Sequence, residues 1–219
     1  MESPLAPGLV VTEDIAAAAA RLFLEIQPRS VTPAGGSTPR TFYERLSQAG
    51  YDWQDVEVFF GDERCVPADH PNSNFRMANG ALLSKVAARV HRIEGESCDP
   101  RRYERELEAV FGAGLPRFDL VVMGLGEDGH TASLFPGDPA LGVLDRFAVR
   151  VTRPDHARIT LTLPVFSAAK VALFLVEGAA KASALKQLVE GGDVPAARVK
   201  AGGVVIVADL AAAGLLDGK

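Results

Sequence analysis

The stretch from Phe118 to Pro136 constrains this chain more than any other. Its first part, Leu120-Val121-Val122-Met123, is apolar without a break, as in a strand covered on both faces; strands of that kind belong to parallel sheets flanked by helices. The chain then changes abruptly to Gly124-Leu125-Gly126-Glu127-Asp128-Gly129-His130-Thr131-Ala132-Ser133, rich in glycine, acid and hydroxyl groups. Open α/β sheets bind ligands just beyond the carboxyl ends of their strands, so a site is expected here. His130 is the side chain best matched to proton transfer near neutral pH.

The same glycines fit the G-x-G-x-x-G spacing of dinucleotide sites, but that pattern needs a long helix opening at the third glycine. Only Thr131 to Phe135 has room to be helical before Pro136, Gly137 and Pro139, so a dinucleotide is not expected.

A chain of 219 residues that is 47% hydrophobic suits one α/β domain over 1–219, with residues 1–8 as a loose tail. Its net charge of −5, without a basic block, argues against nucleic acid or an anionic membrane as partner. A few local cations still suffice for a small anion. Cys65 and Cys98 are too few for a disulfide framework and read as thiols in a reducing cytosol; neither has a zinc-ligand spacing. With no signal-like start and no bilayer-length apolar run, the expected location is cytoplasmic.

Strand and helix signals alternate along the chain. Leu9 to Val11 reads as a strand, and Asp14 caps a helix to about Ile26. A short strand from Ser30 runs into Gly35-Gly36-Ser37-Thr38-Pro39, where Thr38 sits as N-cap and Pro39 as first helical residue. Amides and hydroxyls at that helix start form an anion site or simply a capped turn; spacing alone leaves both open. Val56 to Phe60 reads as a strand ending in Gly61-Asp62-Glu63-Arg64, a turn holding either a solvated ion pair or site residues. Further strands are expected at Val90–Ile93, Phe147–Val151, Arg158–Leu163, Val171–Val176 and Val204–Val207. Helices are expected at Met77–Val86 and Tyr103–Phe111. Lys181 opens another; a lysine in a first helical turn opposes the dipole unless an anion sits there. His70 and His91 read as surface or structural residues, and His156, in a Pro-Asp-His turn, is not expected to be catalytic. The sum is a three-layer, Rossmann-like fold around a mostly parallel sheet.

Several segments together resemble the 6-phosphogluconolactonase family. They are Gly35 to Pro39, Gly61 to Arg64 with Val66-Pro67, Ser73-Asn74-Phe75-Arg76, the specific run Gly126 to Pro136, Arg158-Ile159-Thr160, and Gly178 with Lys181. The resemblance implies a fold shared with glucosamine-6-phosphate deaminases and ribose-5-phosphate isomerases. It implies hydrolysis of 6-phospho-D-glucono-1,5-lactone in the pentose phosphate pathway, without a required cofactor. No metal is expected, and the chain is expected to be a monomer or weak homodimer. In this light His130 is the general base, Asp128 its support and Arg64 a stabiliser of the carbonyl or the phosphate. Gly35, Gly36, Ser37, Thr38, Lys181 and Arg158 then hold phosphate, and Asp62, Asn74, Gly126 and Ser133 complete the substrate contacts. Pro33-Ala34 departs from the family's usual Leu-Ser. The related deaminases carry a glutamate where this chain has Phe135, and an apolar ring cannot do that acid's work. Deaminase chemistry, or sugar-phosphate binding without catalysis, are the alternatives.

Overall fold

The computed structural model describes residues 8–216. Its larger sheet has seven strands, in the order β1 (Gly8–Val11), β10 (Gly203–Ala208), β9 (Val171–Val176), β6 (Leu120–Gly124), β2 (Ser30–Thr32), β3 (Glu57–Val58), β5 (Arg89–Val90). Every pairing in it is parallel. The central strands are apolar on both faces because helices flank the sheet: Leu120 to Met123 and Val171 to Val176 are buried throughout. From β2 the chain winds outward through β3 to β5; from β6 it winds the other way through β9 to β10. The direction reverses between β2 and β6, and a crevice opens at their carboxyl ends.

Six α-helices connect these strands: α1 (Ile15–Ile26), α2 (Ser37–Leu46), α3 (Asn74–Ala81), α4 (Pro100–Phe111), α5 (Leu163–Ala168) and α6 (Ala182–Glu190). Asp14 caps α1 by accepting the Ala17 amide at 2.9 Å, as the sequence predicts. The expected N-cap Thr38 is not one. Helix α2 begins two residues earlier, with Gly36 as cap at φ 112°, a conformation glycine adopts readily. No helix forms at Thr131–Phe135 either; Thr131 and Leu134 instead bridge across a tight turn.

Antiparallel strands β4 (Asp62–Arg64), β8 (Ala157–Leu161) and β7 (Ala148–Thr152) form a second sheet. Asp62-Glu63-Arg64, expected as a turn, is therefore a strand, and the preceding strand is paired only at Glu57 and Val58. Gly8 belongs to β1 rather than to a tail, and residues 1–7 lie outside the described residues. Cys65 and Cys98, expected as free thiols, are bonded as a disulfide with Cα atoms 5.2 Å apart. Their loops meet because Gly95 lies against the backbone of Arg64 and Val66, where a Cβ would collide. His91 is structural, as expected: its ring stacks on Phe59 at 4.3 Å and bonds Glu57 at 2.7 Å. Among the described residues, no helix is long and apolar enough to cross a membrane.

At the sheet end away from the crevice, Asp119 joins β2, β6 and β9. Its carboxylate accepts the Arg29 and Ser30 amides at 2.8 and 3.0 Å and pairs with Lys170 at 2.7 Å. Partial burial pushes this carboxyl up, but the Lys170 ammonium and the two amides outweigh it and hold it below its usual value. A depressed folded-state pKa contributes stability that is complete above the unfolded value, about 4, and is lost as pH falls through the folded one. Asp119→Asn is expected to lower Tm at pH 7 by roughly 2–6 °C, with turnover at 25 °C unchanged. Melting curves should show the gap to the parent chain narrowing below about pH 4.

Candidate active site

The crevice between β2 and β6 opens into a cleft of about 190 Å³. Its floor is Ala34, Gly35 and Gly36 after β2 and Gly124, Leu125 and Gly126 at the end of β6. Its walls are Asp62, Arg64, Asn74, His130, Ala132, Arg158 and Lys181. Segments far apart in sequence thus meet at one place because they all follow the carboxyl ends of parallel strands or pair across the small sheet.

The loop after β6 folds back on itself. Gly126 donates its amide to the His130 carbonyl at 2.8 Å, and Gly129 donates to Gly126 at 3.0 Å with φ 80°. His130 Nδ1 lies 2.6 Å from Asp128 Oδ1, which also accepts the His130 amide at 3.1 Å. Partial burial raises the Asp128 carboxyl, but these bonds from His130 prevail and hold it below the ordinary carboxylate range. An ionised Asp128 fixes a proton on Nδ1, which leaves Nε2 as the acceptor nitrogen. The imidazole is about a third exposed and borders the same cleft as Gly35 and Gly36.

Gly126 permits this geometry. A Cβ there would run into the imidazole and come within 2.7 Å of Asp128 Oδ1. Gly126→Ala must push both groups aside, and a displacement of about 1 Å at reacting atoms costs up to ~10²-fold. The expected result is at least a tenfold fall in kcat/KM with a smaller change in Tm, read by steady-state kinetics and thermal melting.

Strand β4 supplies the opposite wall. Alternation along a strand puts Asp62 and Arg64 on one face and Glu63 on the other. Asp62 is buried; it accepts the Ser133 hydroxyl at 2.5 Å and the Asn74 amide group at 3.0 Å. Asn74 in turn accepts from Arg64 Nη1 at 2.6 Å, and the Asn72 carbonyl accepts from the same nitrogen at 3.1 Å. Ser133 therefore differs from its expected place among substrate contacts: it is wholly buried and braces Asp62. Glu63 accepts four bonds, from Ser73 Oγ and the amides of Arg64, Asn74 and Phe75, and so fixes the start of α3, which carries Asn74. Burial pushes its carboxyl up against those four donors.

The cleft is cationic although the chain is acidic. Arg64 lies directly across the β4–β8 ladder from Arg158, an arrangement that costs free energy unless anions intervene. Arg158 pairs with Asp155 at 2.7 Å, and its Nε is buried without a partner. Lys181, the N-cap of α6, reaches Glu127 at only 3.8 Å. The start of α2 has no side-chain cap, so its first amides are open to an anion. Ser37 is exposed at that helix start, while the Thr38 hydroxyl donates to Glu177 at 2.7 Å; neither lines the cleft. Asp128 also stands behind His130 rather than on the cleft wall.

Glu177 and Arg153 are the neighbours that sequence reasoning did not connect to the site. The Arg153 guanidinium lies 4.1 Å above the Phe135 ring, whose centroid is 4.5 Å from that of His130. Nothing local marked Glu177 or Arg153. His156, with Asn72 at 2.9 Å and the His70 ring at 5.7 Å, stays outside the cleft lining. Among the described residues, no three His, Cys, Asp or Glu side chains are grouped as a metal site requires.

Comparison with known proteins places the chain in a family. The family model described as glucosamine-6-phosphate isomerases/6-phosphogluconolactonase matches residues 9–207. A 6-phosphogluconolactonase of Synechocystis sp. is 41% identical over 169 residues, covering 73% of this chain and 70% of that protein. One from Haemophilus influenzae is 34% identical over 190 residues, covering 80% and 81%. The structure of 6-phosphogluconolactonase from Trypanosoma cruzi superposes with a TM-score of 0.87 at 27% identity, over 99% of this chain and 100% of that one. The chain therefore belongs to the glucosamine-6-phosphate isomerase/6-phosphogluconolactonase family.

Proposed function

We propose that this protein is a 6-phosphogluconolactonase, which hydrolyses 6-phospho-D-glucono-1,5-lactone to 6-phosphogluconate in the pentose phosphate pathway. The observation that carries the reading is one cleft joining the His130–Asp128 pair to an uncapped helix start and three cationic side chains. A lactone is an activated ester, so a water made more basic is enough to open it.

In this reading, phosphate rests on the amides at Gly36 and Ser37, with Lys181 and Arg158 as counter-charges. Binding energy from that remote dianion positions the reacting carbonyl over His130. His130 Nε2 takes a proton from water as its oxygen attacks the carbonyl carbon. Negative charge grows on the carbonyl oxygen, where Arg64 and the loop amides near Gly126 are the donors at hand. The intermediate collapses by breaking the bond to the ring oxygen, which receives the proton back from the imidazolium. Asp128 stabilises that imidazolium throughout. Asp62, Asn74 and Ser133 hold Arg64 in register, and the interior of the cleft has room for the sugar hydroxyls.

Phe135 favours hydrolysis over aldose–ketose chemistry. Its ring packs on His130 at 4.5 Å, where it can neither donate nor accept a proton. The deciding assay gives purified protein the phosphorylated lactone and follows formation of 6-phosphogluconate against the lactone's spontaneous opening. A rate well above that background supports the proposal. Ammonia release from glucosamine 6-phosphate, or ligand binding without acceleration, would replace it with one of the two alternatives.

A further inference from the structure

We propose that the Cys65–Cys98 disulfide is a redox-responsive clamp that holds Arg64 in its working position, opened by dithiols and closed by disulfide-forming oxidants. The inference rests on the reading of Arg64 as a substrate-facing residue.

Cys65 directly follows Arg64. Its amide makes the last bond of the β4–β8 pair, to Ala157 at 2.8 Å, and Val66 then donates back to the Arg64 carbonyl at 2.8 Å. The strand therefore ends in a tight turn at Cys65. Beyond that turn the chain travels over Pro67 to His70 before Asn72 returns to accept from Arg64. This excursion is fastened to the loop before α4 by the disulfide, by the Gly95 backbone against Arg64 and Val66, and by the Ala68 amide, which donates to Glu96 at 3.3 Å. Cys98 itself has φ 47°, a left-handed conformation that a residue with a Cβ adopts at a cost. Cutting the bond lets Cys98 leave that conformation and frees the turn carrying Arg64. Both cysteines are half-buried, not sealed in the core. A disulfide one residue from a cationic site side chain makes the state of the bond readable as activity.

A thiolate of a dithiol attacks one sulfur of the pair; the Sγ–Sγ bond breaks and the other sulfur leaves as a thiolate that takes up a proton. The reductant's second thiol then displaces the first cysteine, giving two protein thiols and an oxidised dithiol, with two electrons transferred. An oxidant such as diamide takes those two electrons and restores the bond.

The test measures lactone hydrolysis at 25 °C by the full chain, treated with diamide or with dithiothreitol, while free thiols are counted in denaturant. Reduction is expected to lower kcat/KM about tenfold, reversibly on reoxidation. Cys98→Ser and Cys65→Ala should both stay at the low value whatever the treatment. In Arg64→Ala, the residual turnover should not respond to either reagent, because the bond acts through Arg64. Equal kcat/KM in the two thiol states overturns the proposal even if reduction lowers Tm, since the bond is then a simple cross-link. So does an Arg64→Ala variant that responds as the parent does, or a folded chain whose thiols diamide cannot join. If Arg64→Ala itself turns over at the parent rate, the reading of Arg64 falls and takes the clamp with it. If that variant is impaired but redox state has no effect, only the clamp falls.

Discussion

His130→Ala is expected to lower kcat for 6-phosphogluconolactone hydrolysis by a factor of about 10²–10⁴, the range that a positioned general base contributes. The fold should survive the change. The imidazole is about a third exposed, and it rests on the Asp128 carboxylate and the Phe135 ring. Surface-side truncations of this kind usually move stability by less than about 1 kcal/mol. KM should stay near the parent value, because in this account phosphate is held by groups on the other side of the cleft. Because the lactone opens unaided, the spontaneous rate must be subtracted before the factor is taken. A variant within threefold or so of the parent would remove His130 from the role of base.

The second large effect is expected at Arg64. Its hydrogen bonds go to two neutral oxygens, of Asn72 and Asn74, so its positive charge is left uncompensated beside the cleft. Arg158 stands across the ladder from it, and the pair repel unless an anion sits between them. Arg64→Ala is expected to cost about 10²-fold in kcat/KM, the scale for removing one donor from developing oxyanion charge. The split between constants then assigns the partner. A loss in kcat at steady KM places the guanidinium on the carbonyl oxygen; a rise in KM at steady kcat places it on phosphate. Arg64→Lys should recover only part of the loss, since an ammonium cannot reproduce the fork held by Asn74.

How far the sequence led depends on how locally each feature is encoded. Leu120 to Met123 could be recognised as a buried strand because four apolar residues in a row, followed by glycines, leave few other options. Helix α1 was legible from Asp14 and an apolar stripe ending at Ile26. The reunion of Gly36, Arg64, His130, Arg158 and Lys181 followed from the family resemblance, not from spacing, and the geometry brings those five to one cleft. The small sheet was not legible. Strand β4 is three residues long and wholly polar, so no alternation of apolar and polar residues could announce it. The Thr38 cap was misplaced because hydroxyl propensity at an N-cap is weaker than what the tertiary structure demanded. The chain needed Gly36 at positive φ to turn from β2 into α2, and the Thr38 hydroxyl found Glu177 instead. Ser133 looked like a substrate contact by its place in the loop, yet its hydroxyl is spent on Asp62. Disulfide pairing across 33 residues depends on two loops meeting, which composition does not reveal.

The central claim is one of placement: an imidazole on one side of a sugar ring and a phosphate cradle on the other. A crystal structure with 6-phosphogluconate bound tests it directly. The account predicts the phosphate about 3 Å from the amides at Gly36 and Ser37 and from the Lys181 ammonium, with the carboxylate end facing His130 Nε2. A product bound the other way round, with its phosphate against His130, or seated outside this cleft, would contradict it.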